Sequence, residues 1–499
     1  MWKQLRVTLF LSGLLLGGCM GQENKTREPA VAGSFYPAEP AELGKMVDGF
    51  ISQAGPAKDA GEVVGLISPH AGYVYSGPVA AYAYAQIAGK DIERVVVIAP
   101  SHYQSFSGVS IYSGDQYKTP LGSIPVDTEF AQKLALLSSQ FRLSGDGHTF
   151  RNPAGQGEHA IEVQLPFLQR TLKNFKLVPI VMGQPRSVEE LYDTPRALGV
   201  ALARLITDRR TLLVASSDLS HYHGYNEANV MDHKLADAIR DWDFMSISRN
   251  LGNRQWEACG GFPIIAVMIA SQRLGANQAR ILKQANSGDT SGPRDSVVGY
   301  LAAAFVKDSV QRKSEDYSLG ANEQAHLLSI ARDSVKAAVV NRTELACTDG
   351  GFPTLSRDRG AFVTLTRGGK LRGCVGYTAP VKPLYETVRD VAAYAAIHDS
   401  RFLPVTPSEL DSLDYEISVL SPLRRIASID EIEVGKHGLL IRKGGYEGLL
   451  LPQVPTENNW DKLTFLQNLC YKAGLPPNAW KDEDADIFSF TAYVFGTKK

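Results

Sequence analysis

Three short polar motifs place histidine or aspartate directly past an apolar run. His70 stands in Ser68-Pro69-His70-Ala71-Gly72 after Val63 to Ile67. His102 ends Ala99-Pro100-Ser101-His102 after Arg94 to Ala99. Asp218 and His221 lie in Ser216-Ser217-Asp218-Leu219-Ser220-His221 after Thr211 to Ala215. One imidazole in a loop is usually solvated or capping, but several delivered by separate elements point to a metal or to acid–base chemistry. His221 hydrogen-bonded to Asp218 would be a general base; otherwise Asp218 serves only to bond loop amides. Glu158, His159 and Glu162 make a fourth polar group at the start of a predicted helix, His159 to Leu168, where His159 and Glu162 share one face. They are expected to touch substrate or to support the ligands from behind, with a structural role as the alternative.

The runs ahead of these motifs, together with Leu177 to Met182, are short, uninterrupted and rich in β-branched residues. That is the pattern of strands covered on both faces, as in a parallel sheet, and helical segments such as Val79 to Ile87 alternate with them. The expected fold class is therefore α/β over residues 31–306, and in open α/β sheets ligands bind at the edge where all three motifs fall. Residues 307–320 are charged, polar and without apolar periodicity, and are expected to be a linker. Residues 321–499 are expected to form an α+β domain. It has an amphipathic helix over Ala321 to Val340, a hairpin turning at Arg367-Gly368-Gly369, a helix over Leu384 to Ile397 and a strand over Tyr415 to Leu420. A chain of 499 residues exceeds what one hydrophobic core usually serves, which agrees with two domains. A formal net charge of -1 carries no nucleic-acid footprint. Cys19, Cys259, Cys347, Cys374 and Cys470 are too scattered for a zinc ribbon or a disulfide framework.

Lys3 and Arg6 precede an apolar run, Val7 to Leu16, of signal-peptide length. The run ends in Leu16-Gly17-Gly18-Cys19, which resembles a bacterial lipobox. That resemblance implies a signal peptide over 1–19, lipidation of Cys19 and a tether over 20–30. With Met20 after the cysteine, it implies a lipid-anchored envelope protein on the outer membrane facing the periplasm.

Pro29 to Pro37, Pro69 to Tyr73, Pro100-Ser101-His102, Glu158-His159-Ala160-Ile161-Glu162, Ser216-Ser217-Asp218 and Ala258-Cys259-Gly260-Gly261 together resemble the Memo family, over about Arg27 to Val306. That family resembles class III extradiol dioxygenases in fold. The resemblance implies His70, His102 and Cys259 as metal ligands, with Asp218 and His221 beside the metal. A thiolate in place of the usual carboxylate departs from the two-histidine, one-carboxylate iron set, and two imidazoles with a thiolate suit iron, copper or zinc, so the ligand types alone do not choose among them; Fe2+ is the expected metal, with copper or zinc as alternatives. Cys259 could instead be a small buried hydrophobe, although Gly260-Gly261 would permit close backbone approach. Leu371-Arg372-Gly373-Cys374-Val375-Gly376, Ser400 to Val405, Tyr415 to Pro422 and Leu449 to Val454 resemble the AMMECR-type family. Both families are similar to components of the AmmeMemoRadiSam system, which implies a radical SAM partner, one that needs a reducing compartment unlike the envelope. Arg372 near Cys374 would activate the thiol, or else Arg372 anchors the hairpin and Cys374 fills core. The expected activity is redox or dioxygenase-like chemistry on an organic small molecule or a protein side chain. A non-catalytic metal- or peptide-binding scaffold and a zinc-dependent hydrolase are the rival readings.

Overall fold

The computed structural model describes residues 25–56, 61–153, 155–185, 187, 190–290, 292–308, 319–378, 382–421, 423–426, 428–443, 446–482 and 485–497. The four apolar runs form strands Glu62–Ser68, Arg94–Pro100, Lys176–Met182 and Thr211–Ser216. They lie parallel at the centre of a nine-stranded sheet, with Thr211–Ser216 between Glu62–Ser68 and Arg94–Pro100. The long strand Val297–Lys307 pairs antiparallel with Glu62–Ser68 and also with His221–His223. Alternate side chains of each strand enter separate cores. Val96, Ile98 and Leu213 meet the helices Glu190–Leu205 and Gly261–Arg273, while Val95, Val97 and Leu212 belong to the layer of Tyr73–Ala85. Burial on both faces explains why these strands read as continuous apolar runs.

Two expectations shift. The segment expected to be helical from His159 begins as a 3-10 turn at Glu162–Gln164, and the α-helix is Leu165–Thr171. Glu158-His159 is therefore loop, freed from the helical spacing assumed for His159 and Glu162. Part of the expected tether is folded into the domain. Thr26–Arg27 pairs with the strand Gln116–Thr119, and Arg27 is 5% exposed and ion-paired with Glu162. The segment 1–24, which holds Lys3, Arg6 and Cys19, lies outside the described residues, as does 309–318 of the expected linker. Among the described residues no helix is long and apolar enough to cross a membrane.

The second half is α+β, as expected, and is built on two antiparallel four-stranded sheets. One runs Lys370–Tyr377, Ala361–Arg367, Leu413–Leu420, Ala492–Gly496 and packs under the helices Ala321–Lys336 and Leu384–Ile397. The other runs Arg424–Arg425, Asp486–Phe490, Gly438–Lys443, Tyr446–Leu450. Gly368 and Gly369 turn the hairpin at φ 56° and 79°, a left-handed pair that side chains resist. The second sheet docks on the first domain: Leu440 and Phe488 join its core beside Phe244. Buried Asp486 receives Arg425 of its own domain together with Arg196 and Arg273 of the first. Arg359 pairs with Asp241 across the same interface at 3.1 Å.

Candidate metal centre

The strands ending at Ser68 and Pro100 flank Thr211–Ser216, so His70 and His102 start two strand spacings apart, roughly 9–10 Å. Their rings converge over the middle strand to a centroid separation of 5.1 Å. Cys259 arrives from the N-terminal end of the helix Gly261–Arg273. Gly260 is what permits this approach, since a Cβ there would lie 2.1 Å from the carbonyl oxygen of Ser216. His70, His102 and Cys259 each offer a donor atom, and these atoms all lie within 4.8 Å of one another.

The hydrogen bonds fix which nitrogen each imidazole presents. The Ser216 hydroxyl donates its one proton to the carbonyl of Ala160 at 2.6 Å and accepts from Gln164 Nε2 at 2.7 Å. It can only accept from His70 Nδ1, 2.9 Å away, so His70 Nε2 holds a lone pair, 3.1 Å from Cys259 Sγ. His102 Nδ1 donates to Glu158 Oε1 at 2.9 Å, and its backbone N–H donates to Oε2 at 2.6 Å. Burial opposes charge on Glu158, but the bonds from His102 and its positive charge win and hold the carboxyl down at about 2. The Asp218 N–H donates to Cys259 Sγ at 3.3 Å. For Cys259, burial resists ionisation, yet the neighbouring imidazoles of His70 and His102 bring the thiol down to about 6. For His102, burial disfavours protonation, but the bonds to Cys259 and Glu158 prevail and lift it to about 10. The two shifts run in the direction that favours the proton on His102 over Cys259, and a cation would take the place of the His102 Nε2 proton.

These residues fit a transition metal. A tetrahedral ion with bonds of about 2.0–2.1 Å to nitrogen and about 2.3 Å to sulfur separates its donors by roughly 3.3–3.6 Å, inside the observed span. Carboxylate behind one imidazole and hydroxyl behind the other are the supports that metal-binding histidines normally carry.

The remaining expected residues part company. Asp218 is 5% exposed and accepts the His70 N–H at 2.8 Å; burial raises its carboxyl. Its expected hydrogen bond with His221 is absent among the described residues, because the carboxylate is turned to the His70 loop. The His221 N–H goes instead to Glu257 Oε2 at 3.1 Å. Glu162 is not at the centre: both oxygens are taken by Arg27, the amides of Ala30 and Val31, and the hydroxyl of Tyr36, so it staples the N-terminal segment to the domain. His159 lies against the cluster, its ring stacked on His102 at 4.8 Å and 8°. In the second domain a bulge at Arg372 breaks the hairpin register. The Arg372 guanidinium is spent on Glu409 at 2.9 Å and on the carbonyls of Leu403 and Pro404, while Cys374 Sγ accepts from Thr364 Oγ1 at 3.3 Å. Sequence reasoning gave no role to Ser216, Gln164 or Glu257. Each lies two residues from an assigned site residue (Ser216 from Asp218, Gln164 from Glu162, Glu257 from Cys259), which is the one signal that could have found them.

Residues 27–304 match the model of the family described as Memo-like protein, more than half of the chain. The chain belongs to the Memo-like family. Residues 328–495 match a second model, AMMECR1, in tandem. A MEMO1 family protein of Nitrosopumilus maritimus is 36% identical over 285 residues, which cover 56% of this chain and 99% of that protein. The MEMO1 family protein of Methanosarcina mazei is 40% identical over 55% of this chain and 97% of its own length. One from Saccharolobus solfataricus is 39% identical, covering 56% of this chain and 99% of that protein. An uncharacterized Pyrococcus horikoshii protein of known crystal structure is 41% identical, covering 34% of this chain and 90% of its own, with a TM-score of 0.33. The Memo-like relatives overturn one expectation. They are archaeal MEMO1 family proteins matched over nearly their whole length, and none indicates a bacterial outer-membrane lipoprotein facing the periplasm. The lipobox reading of Leu16 to Cys19 rested on a short apolar run and small residues, a pattern of low information beside a match over a whole domain.

Proposed function

We propose that this Memo-like protein binds iron through His70, His102 and Cys259 and carries out redox or oxygen-dependent chemistry on an organic small molecule or a protein side chain. The observation that supports the reading is the matched pair of tautomers: Ser216 and Glu158 each hold a histidine Nδ1–H, which turns both Nε2 atoms toward one thiol of lowered pKa. Iron in such a set would supply one-electron chemistry, and a thiolate ligand would make it more electron-rich than a carboxylate does. The protein's own part is to keep the donors aligned, to shield the centre beneath buried His70, and to manage protons at its rim. Asp218 positions the His70 loop through its amide bond. His221, whose ring has no carboxylate bonded to it among the described residues, would be the group that takes a proton from a bound molecule.

The same two-nitrogen, one-sulfur set suits zinc, so the test must separate the metals. Anaerobically loaded ferrous protein should bind nitric oxide, with a new absorption band and a paramagnetic signal that change in Cys259→Ser. Metal occupancy should fall in His70→Ala, His102→Ala and Cys259→Ser, and less in Asp218→Asn. Iron-loaded protein that shows no nitric oxide complex, or activity supported by zinc alone, overturns the redox reading.

A further inference from the structure

His159 lies against the metal ligands without being one of them. It is 8% exposed, and its Nδ1 is buried with no partner. No hydrogen bond from either ring nitrogen is present among the described residues; the residue's hydrogen bonds are those of its backbone, the N–H donating to Glu158 Oε1 at 2.9 Å and the carbonyl accepting from the Val163 N–H at 3.0 Å. A neutral imidazole carries one N–H and one lone pair, and burying Nδ1 unpaired costs free energy that a purely structural residue would avoid. A leucine or phenylalanine would fill the same space without that cost. The ring is nonetheless held firmly. It stacks on His102 at 4.8 Å, meets His70 edge-on at 5.7 Å and 84°, and is backed by Phe35 at 4.6 Å.

Its distance from the donors rules on its role. The trios whose donor atoms close within 4.8 Å are His70–His102–Cys259 and His102–Glu158–His159. His159 reaches His102 and not the thiol side, so it stands one layer out from a metal on the first trio. Glu158 is no second-trio ligand either, because four N–H bonds, from His102, His159 and Ala160, already occupy its oxygens. An imidazole beside a metal, with its polar atoms unclaimed, is placed to meet whatever non-protein ligand the metal carries.

We propose that His159 forms the recognition wall of the centre, hydrogen-bonding a small anion or oxygen-donor ligand bound at a coordination position that the protein leaves open. This rests on the metal reading above, and the experiment tells the two apart by measuring metal first and ligand second. Full-length protein is titrated with Co2+, whose thiolate-to-metal absorption reports the centre, and the cobalt form is then titrated with azide. His159→Phe keeps a stacked ring and removes both nitrogens; His159→Gln restores a donor and an acceptor. Both variants should take up one Co2+ with wild-type affinity. Azide should bind about tenfold or more weakly to His159→Phe, and His159→Gln should recover part of the loss. Azide affinity within threefold of wild type in cobalt-loaded His159→Phe overturns the proposal. So does loss of cobalt from both variants, which would make His159 a ligand itself. A wild-type protein that takes up no cobalt overturns the metal reading, and this proposal with it.

Discussion

Replacing Glu158 with Gln tests whether one carboxylate orients half of the metal site. Glu158 Oε1 accepts three protons, from His102 Nδ1 and the amides of His159 and Ala160, and Oε2 accepts the His102 amide at 2.6 Å. A glutamine offers one oxygen. Its better orientation keeps that oxygen on the three-donor side and points an NH2 group at the His102 amide, donor against donor. One charge-assisted bond is then lost and three are reduced to neutral ones. Bonds to a charged partner are worth about 1.5–3 kcal/mol and neutral ones about 1 kcal/mol, so roughly 3–9 kcal/mol is removed from the arrangement. Part appears as lower stability. The rest appears as a His102 ring no longer held in the Nδ1–H tautomer, with metal affinity expected to fall about 10–100-fold. Competition with a chromophoric chelator measures the affinity, and urea denaturation the stability. A folded Glu158→Gln protein whose metal affinity stays within threefold of wild type would refute the claim that this carboxylate sets His102.

Glu162→Gln should destabilise the protein by about 3–5 kcal/mol, because Arg27 is left charged and buried; urea melts measure it, and the surviving folded fraction should keep its full metal stoichiometry. Asp232 is 1% exposed, and burial, partly offset by the Ser220 amide, lifts its carboxyl from 3.8 to about 6. Its raised pKa means that the unfolded chain gives up the proton first, so the contribution of Asp232 to stability is fully present below pH 3.8 and about 3 kcal/mol is lost as pH rises through 6. Asp232→Asn should therefore gain on wild type between pH 4 and 7 in urea melts; a stability difference independent of pH would show that the carboxyl is not strained by burial. Asp486→Ala leaves the guanidinium groups of Arg196, Arg273 and Arg425 without their shared carboxylate. It should cost about 3–5 kcal/mol and split the calorimetric transition into two, whereas a single unshifted transition would deny the domain interface this role.

Much of this architecture was legible because periodicity is local. Val63 to Ile67, Arg94 to Ala99 and Thr211 to Ala215 announced buried parallel strands through β-branched runs, and polar residues directly past a strand must sit at its C-terminal edge. His70 and His102 could therefore be nominated without coordinates, as could the two-domain α/β and α+β plan. What only the tertiary structure decided is which polar groups face one another. Glu158 and Glu162, four residues apart in one motif, diverge: one turns to His102, the other to Arg27 and the N-terminal segment, because the helix between them begins late. Ser216 and Gln164 fix the His70 tautomer from opposite sides of the chain, 52 residues apart, and no spacing rule reports such a pairing. Asp218 next to His221 suggested a dyad, but the turn sends the carboxylate to the His70 amide and the His221 amide to Glu257. Hydrophobic pattern is written along the chain, whereas hydrogen-bond partnership is settled where separate loops meet at the sheet edge.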